Sequence, residues 1–160
     1  MDKKGAKVFV KLKVRLAKVS DAKRIAALSG ELGYPIDARR MGRLIHLARR
    51  RGNQRLFAAE VDGTVVGWLE IFRSVSVLNP GKTEIGALVV GKRYRRRGIG
   101  AALMNEAHRW ARSKGSPFVY LRSNIVRRDA HRFYERSGYS VFKTQYVFRK
   151  TFAQRKPKER

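Results

Sequence analysis

Cysteine is absent from this chain of 160 residues, which removes disulfides, thiolate metal ligands and cysteine nucleophiles together. Histidine is scarce: three scattered residues offer no ligand spacing, so no metal site is expected. No apolar run approaches the roughly 18 residues of a membrane-crossing helix. The start MDKKGAKVFVKLKV lacks the apolar core and small-residue cleavage site of a secretory signal. A cytoplasmic protein that does not touch a membrane is the expectation. Acidic residues are also few, with 12 Asp and Glu against 38 Lys and Arg, for a net charge of +26 that is far outside the range of most small domains. Such an excess admits a nucleic acid or ribosome as partner. The basic residues form no single stripe, however, and neither RNA-recognition aromatics nor zinc-finger spacing accompany them. The competing reading is a basic solvated surface on a protein that binds a polyanionic cofactor.

A chain of this length with 43% hydrophobic residues has material for one core and little for a second. Residues 8–17 alternate Val10, Leu12, Val14 and Leu16 with basic residues, which predicts a half-buried strand. Ser20 and Asp21 offer N-caps to a helix carrying Ile25, Ala26 and Leu28, which ends near Gly30 to Gly33. A second helix is expected from Asp37 to about Arg50, with Met41, Leu44, Ile45 and Ala48 at helical spacing. RLFAAEV and TVVGWLEIF flank Asp62 and Gly63, a strong hairpin signal. Residues 77–82, with Asn79, Pro80 and Gly81, predict a turn. A strand over about 83–90 then leads into a glycine turn and a helix that runs to about Lys114 and stops at Gly115. FVYLRS reads as a buried strand, RRDAHRFYERSG as a helix, and YSVF and TQYVFRKTF as the last strands. The order implies one α/β domain over residues 1–152 with a basic, disordered tail at 153–160.

The segment EIGALVVGKRYRRRGIGAALMNEAHRWA carries the most information, because a strand, a basic glycine turn and a helix start point free N–H groups and a positive helix end at one small volume. A phosphorylated ligand is expected there. GALVVGKR nearly matches a P-loop, but Arg93 stands where Ser or Thr should hold magnesium, and Ala87 to Val90 form a strand interior that cannot wrap a phosphate. A dinucleotide fingerprint fails because Leu103 occupies the place of its third small residue. What remains is R-x-x-G-x-G, through Arg95, Gly98 and Gly100.

With that motif the chain resembles the GNAT-family N-acetyltransferases, in which R/Q-x-x-G-x-G/A follows the fourth strand and binds the pyrophosphate of acetyl-CoA. A second segment, AHRFYERSGY from Ala130 to Tyr139, is similar to the family's A-x-x-x-Y-x-x-x-G-F/Y. The style of the sequence resembles the bacterial small-molecule type, including the aminoglycoside 6′-N-acetyltransferase branch. The resemblance implies a mixed, mostly antiparallel sheet of about six to seven strands flanked by about four helices. It also implies acetyl-CoA as cofactor and transfer of its acetyl group to a primary amine. An aminoglycoside N-acetyltransferase that confers resistance is one alternative, and a binding module on the same fold, drawn to RNA or ribosomes by charge, is a second. A homodimer is admitted by exposed strand edges.

The resemblance further assigns expected roles. Cofactor contacts fall on Leu88, Val89 and Val90, where pantetheine would lie along a bulge at Gly86, and on Arg95, Arg96, Arg97, Gly98, Ile99, Gly100 and Ala101 at the turn. Many members carry Asn where this chain has Arg127, so Asn124 or Arg127 is expected to make the cofactor contact there. Tyr134 corresponds to the tyrosine near the CoA sulfur. A phenol is mostly protonated at neutral pH and can protonate a leaving thiolate. Glu84, two residues before Gly86, is the expected base, with Glu70 as its substitute. Tyr34, Trp68 and Glu70 are expected to line the acceptor site. A polycationic acceptor would meet a repulsive field.

Overall fold

A computed structural model describes residues 11–77 and 79–152. They fall in two compact units, one up to Arg122 and one from Ser123 onward. Val8 and Val10 of the first expected strand, and the tail at 153–160, lie outside the described residues.

The first unit is a single sheet with strands in sequence order: β1 (Leu12–Leu16), β2 (Gln54–Val61), β3 (Thr64–Ser76), β4 (Asn79–Val90) and β5 (Val119–Leu121). The first four pair antiparallel, and β5 runs parallel to β4. Helices α1 (Ala22–Glu31) and α2 (Ala38–Arg50) lie between β1 and β2, and α3 (Ile99–Ser113) crosses from β4 to β5. The β2–β3 hairpin turns through Asp62 and Gly63, both at positive φ, 47° and 79°. That is the backbone of a type I′ turn, whose twist matches the strands it joins. The chain turns at Val77, within the expected span of 77–82, but Asn79–Gly81 already belong to β4, so β3 and β4 are longer than their apolar cores indicate.

Period-two alternation decides which face each helix covers. Leu56, Ala58, Trp68 and Val89 share one face and pack with Ile25 and Leu28 of α1 and Met41, Ile45 and Ala48 of α2. Helix α2 starts at Asp37, whose Oδ1 accepts the Arg40 N–H at 2.8 Å. On the opposite face Gly67 lies against the side chains of Ile99 and Leu103 of α3. Leu103 and Met104 are fully buried there, and each such side chain contributes about 1.5–3 kcal/mol.

The second unit holds α4 (Arg128–Arg136). The sheet has five strands, against the six to seven expected. YSVF and TQYVFRKTF form none: residues 139–152 have no strand pairing, and Val141, Phe142, Tyr146, Val147, Phe148 and Phe152 are 72–92% exposed. Their strand-like composition has no neighbouring ladder to satisfy, and β propensity expresses itself only against one. Four α-helices are present among the described residues.

Candidate active site

The end of β4 and the start of α3 build the first part of the site. After Val90 the chain turns at Gly91, whose N–H donates to Val66 O at 2.9 Å, and passes through one 3₁₀ turn at Lys92–Tyr94. Arg95 folds back, its Nε donating to Val90 O at 3.1 Å, which ties the turn to the strand end. Arg96 and Gly98 then take left-handed backbone, at φ 61° and 76°. Left-handed geometry in a non-glycine residue costs about 1–2 kcal/mol. Helix α3 begins without a side-chain cap; its first backbone bond runs from Ala102 N to Gly98 O. The N–H groups of Ile99, Gly100 and Ala101 therefore have no partner among the described residues, and nothing lies within 4 Å of the place a Cβ would take on Gly98. Arg96 and Arg97 are exposed beside them, and the Arg97 guanidinium stacks 5.7 Å from the Tyr94 ring.

The second part is the outer edge of β4. Its parallel pairing with β5 covers only Thr83–Ile85 against Val119–Leu121. From Gly86 through Leu88, Val89 and Val90 that edge has no strand partner among the described residues. The β3–β4 register jumps from Glu70↔Ala87 to Ile71↔Ile85, so Gly86 is the extra residue of a bulge.

Glu70 and Glu84 lie on the sheet face that carries α1 and α2. Gln54 pairs with Phe72, and Phe72 with Glu84, so all three share this face with Glu70. Glu70 is half-buried, and its Oε1 accepts Gln54 Nε2 at 2.6 Å. A Cβ on Gly86 would come within 2.6 Å of Glu70 Oε2, so the missing side chain leaves room for this carboxylate. Glu84 differs. It is 4% exposed, with Arg122 Nε 2.7 Å from Oε1 and Lys82 Nζ 3.1 Å from Oε2. Both oxygens are already matched by cations, as a buried carboxylate requires. Trp68 is 8% exposed within the core cluster, and its Nε1 has no hydrogen-bond partner among the described residues. Tyr34 is exposed in the connection between α1 and α2.

In the second unit Asn124 organises the turn before α4. Its Oδ1 accepts the Val126 N–H at 3.1 Å and its carbonyl accepts the Arg127 N–H at 3.0 Å. Tyr134 packs against Phe133 and Tyr139, with ring centroids 5.4 Å and 6.2 Å away. Burial pushes the Tyr134 phenol up against the opposing pull of Arg127. Burial and the neighbouring Tyr134 push Tyr139 up to about 12.

Three residues of the Glu70–Glu84 patch escape a reading of the sequence: Gln54, Lys82 and Arg122. Lys82 stands two positions from Glu84 and therefore on its face, a signal present in the sequence. The reach of Gln54 to Glu70 and of Arg122 to Glu84 depends on register between distant strands. Among the described residues no cluster of His, Asp or Glu has the form of a metal site, and no helix is long and apolar enough to cross a membrane.

The description of the acetyltransferase (GNAT) family matches residues 23–139. An uncharacterized N-acetyltransferase, YhdJ, of Bacillus subtilis is 29% identical over 124 residues, 77% of this chain and 86% of its own. The aminoalkylphosphonate N-acetyltransferase of Salmonella typhimurium is 39% identical over 79 residues, 49% of this chain and 51% of its own. A solved aminoglycoside N-acetyltransferase, AAC(6′)-Iy in complex with CoA, shares the fold with a TM-score of 0.79 at 15% identity, over 88% of this chain and 95% of that one. These proteins belong to several acetyltransferase subtypes, so the aminoglycoside branch is not singled out. The chain belongs to the GNAT acetyltransferase family, and its activity is acetyl-CoA-dependent N-acetylation of an amine.

Proposed function

We propose that this protein works in the cytoplasm and transfers the acetyl group directly to a primary amine of a small molecule or protein, with Glu70 as proton acceptor and Tyr134 as proton donor. The observation that carries the reading is the β4 edge from Gly86 to Val90, which has no strand partner among the described residues and runs into a helix start whose first N–H groups have no partner there either. The residues present suit CoA. The N–H groups of Ile99, Gly100 and Ala101 and the open space at Gly98 suit a pyrophosphate. Arg95, Arg96 and Arg97 supply charge around it. The backbone of Leu88, Val89 and Val90 offers donors and acceptors to the amides of pantetheine. Asn124 and Arg127 stand as further cofactor contacts.

When bound, acetyl-CoA supplies a thioester whose carbonyl carbon accepts an amine and whose sulfur leaves as thiolate. Glu70 takes the proton that an ammonium must lose before its nitrogen can attack. Glu84 is less open to an approaching amine because Lys82 and Arg122 already occupy its oxygens. Tyr134 keeps its proton at neutral pH, since burial raises its pKa, and can pass that proton to the sulfur. Tyr134→Phe is expected to lower kcat about 10²-fold or more with CoA affinity retained. Unchanged kcat removes the phenol from the reaction.

A second reading, attraction to RNA or ribosomes, draws on α2, where Arg39, Arg40, Arg43, Arg49 and Arg50 stand exposed with no acidic residue on the helix. It predicts RNA binding that weakens steeply with salt; absent or salt-independent binding overturns it. An aminoglycoside acceptor draws on likeness of fold alone and is opposed by the net charge of +26. Thiol release from acetyl-CoA, measured over small amines, aminoglycosides and basic proteins, separates these acceptors. No release with any amine counts against the reading.

A further inference from the structure

The patch around Glu70 carries two kinds of charge at a fixed spacing. At one end the Glu70 carboxylate is bonded to the neutral Gln54 amide and is in no ion pair among the described residues. At the other, Lys82 and Arg122 share the single carboxylate of Glu84. Two cations on one anion leave this cluster an excess of one positive charge. The Arg122 side chain is 73% exposed and uses only Nε in its bond to Glu84. Its two Nη groups have no partner among the described residues, which suits bidentate capture of an oxyanion. Lys82 Nζ lies 4.6 Å over the Tyr120 ring, which holds the ammonium near the same spot.

Register gives the spacing. Glu84 pairs with Phe72, two residues along β3 from Glu70 and on the same face. Two residues of extended strand span about 7 Å. A small molecule can therefore present an amine to Glu70 and an anion to Arg122 and Lys82 at once. The long-range field of a +26 chain works in the same direction, since it raises the local concentration of anions and lowers that of polycations.

We propose that the acetyl acceptor is a small primary amine bearing an anionic group, with its nitrogen at Glu70 and its carboxylate, phosphate or phosphonate on Arg122 and Lys82. This rests on the reading of Glu70 as the proton acceptor. Glu84 acts in it as a positioning residue that holds the two cations toward the ligand.

The test compares matched amines on the unaltered full-length protein: ethanolamine phosphate against ethanolamine, and β-alanine against β-alaninamide. Thiol release from acetyl-CoA gives kcat and KM for each. The anionic member of each pair is expected to have the higher kcat/KM, by about tenfold or more, as charge-assisted bonds imply. Arg122→Gln is expected to raise KM for the anionic member by at least about fivefold more than for its neutral partner, and Arg122→Lys to restore part of the difference. Equal or better use of the neutral members overturns the proposal, as does acetylation of aminoglycosides alone. The comparison on the unaltered protein stands even if a variant at Arg122 folds poorly. Glu70→Gln separates the two levels of the argument. If it slows turnover of every amine while the pairs are used equally, only the anionic acceptor is wrong; if it slows none, the reading of Glu70 fails as well.

Discussion

Glu70 and Gly86 face each other across the β3–β4 bulge so closely that a methyl group on Gly86 would meet Glu70 Oε2 at 2.6 Å and Phe72 Cε1 at 3.0 Å. The glycine thus sets where the carboxylate can stand. The Glu70 carboxylate and the Phe72 ring must both give way, so Gly86→Ala is expected to cost about 1–3 kcal/mol in stability while displacing Glu70. A shift of about 1 Å in a catalytic group can cost 10²-fold in rate. A kcat loss of that order, measured at a temperature where the variant is still folded, together with a modest fall in Tm is the expected outcome. Unchanged kcat, or a loss that merely follows Tm, contradicts it.

At the cofactor turn the same substitution acts by another route. Gly98 has φ 76° with nothing within 4 Å of its Cβ position, so Gly98→Ala meets no neighbour and pays only for left-handed backbone, about 1–2 kcal/mol. Calorimetric titration with CoA is expected to show affinity reduced about tenfold as the N–H groups of α3 lose their aim. Gly98→Asn, which tolerates this backbone better, is expected to recover stability ahead of affinity. Full CoA affinity in Gly98→Ala places the phosphates elsewhere.

Asp21 is expected to contribute to the acid limb of stability. Its carboxylate accepts Lys18 N–H at 2.7 Å and two bonds from Arg15, at 2.7 and 3.0 Å. Burial works to raise its pKa, but these donors outweigh it and the net shift is downward. A carboxylate with a pKa depressed on folding contributes stability that is complete above its unfolded value, about 3.9, and is lost as pH falls through the folded one. Thermal unfolding from pH 6 to pH 2 is expected to show this loss below about pH 4. Asp21→Asn is expected to lower stability at pH 7 by about 1–3 kcal/mol and to flatten the acid limb. An acid limb of the same depth in the variant removes Asp21 as its source.

Local signals in the sequence carried much of the fold. The Asp37 cap, the Asp62–Gly63 hairpin and the apolar spacing of α3 each act within a few residues, and each element stands where that chemistry puts it. Gly86 is at a bulge because a residue without a side chain is what a close carboxylate requires. Asp21 is less simple: its side chain caps the 3₁₀ turn before α1 and pairs with Arg15 and leaves α1 without a side-chain cap. What the sequence could not convey depends on partners far along the chain. The segment from Tyr139 to Phe152 has the composition of strands, but composition does not supply a neighbouring ladder. The relative standing of Glu70 and Glu84 is of the same kind. Both lie on strands beside the bulge; Lys82 and the reach of Arg122 from the end of β5 together make one a buried ion pair, while the other is bonded to an amide.

The most direct test of the account is the pH dependence of kcat in Glu70→Gln and Glu84→Gln, measured by thiol release from acetyl-CoA at saturating acceptor. Glu70→Gln is expected to lose about 10²-fold in kcat near neutral pH and to recover as rising pH deprotonates the free amine. Glu84→Gln is expected to act through KM and Tm, with the shape of its kcat profile kept. The reverse pattern, a base-rescued loss in Glu84→Gln and an unaltered profile in Glu70→Gln, would contradict the assignment of the proton acceptor.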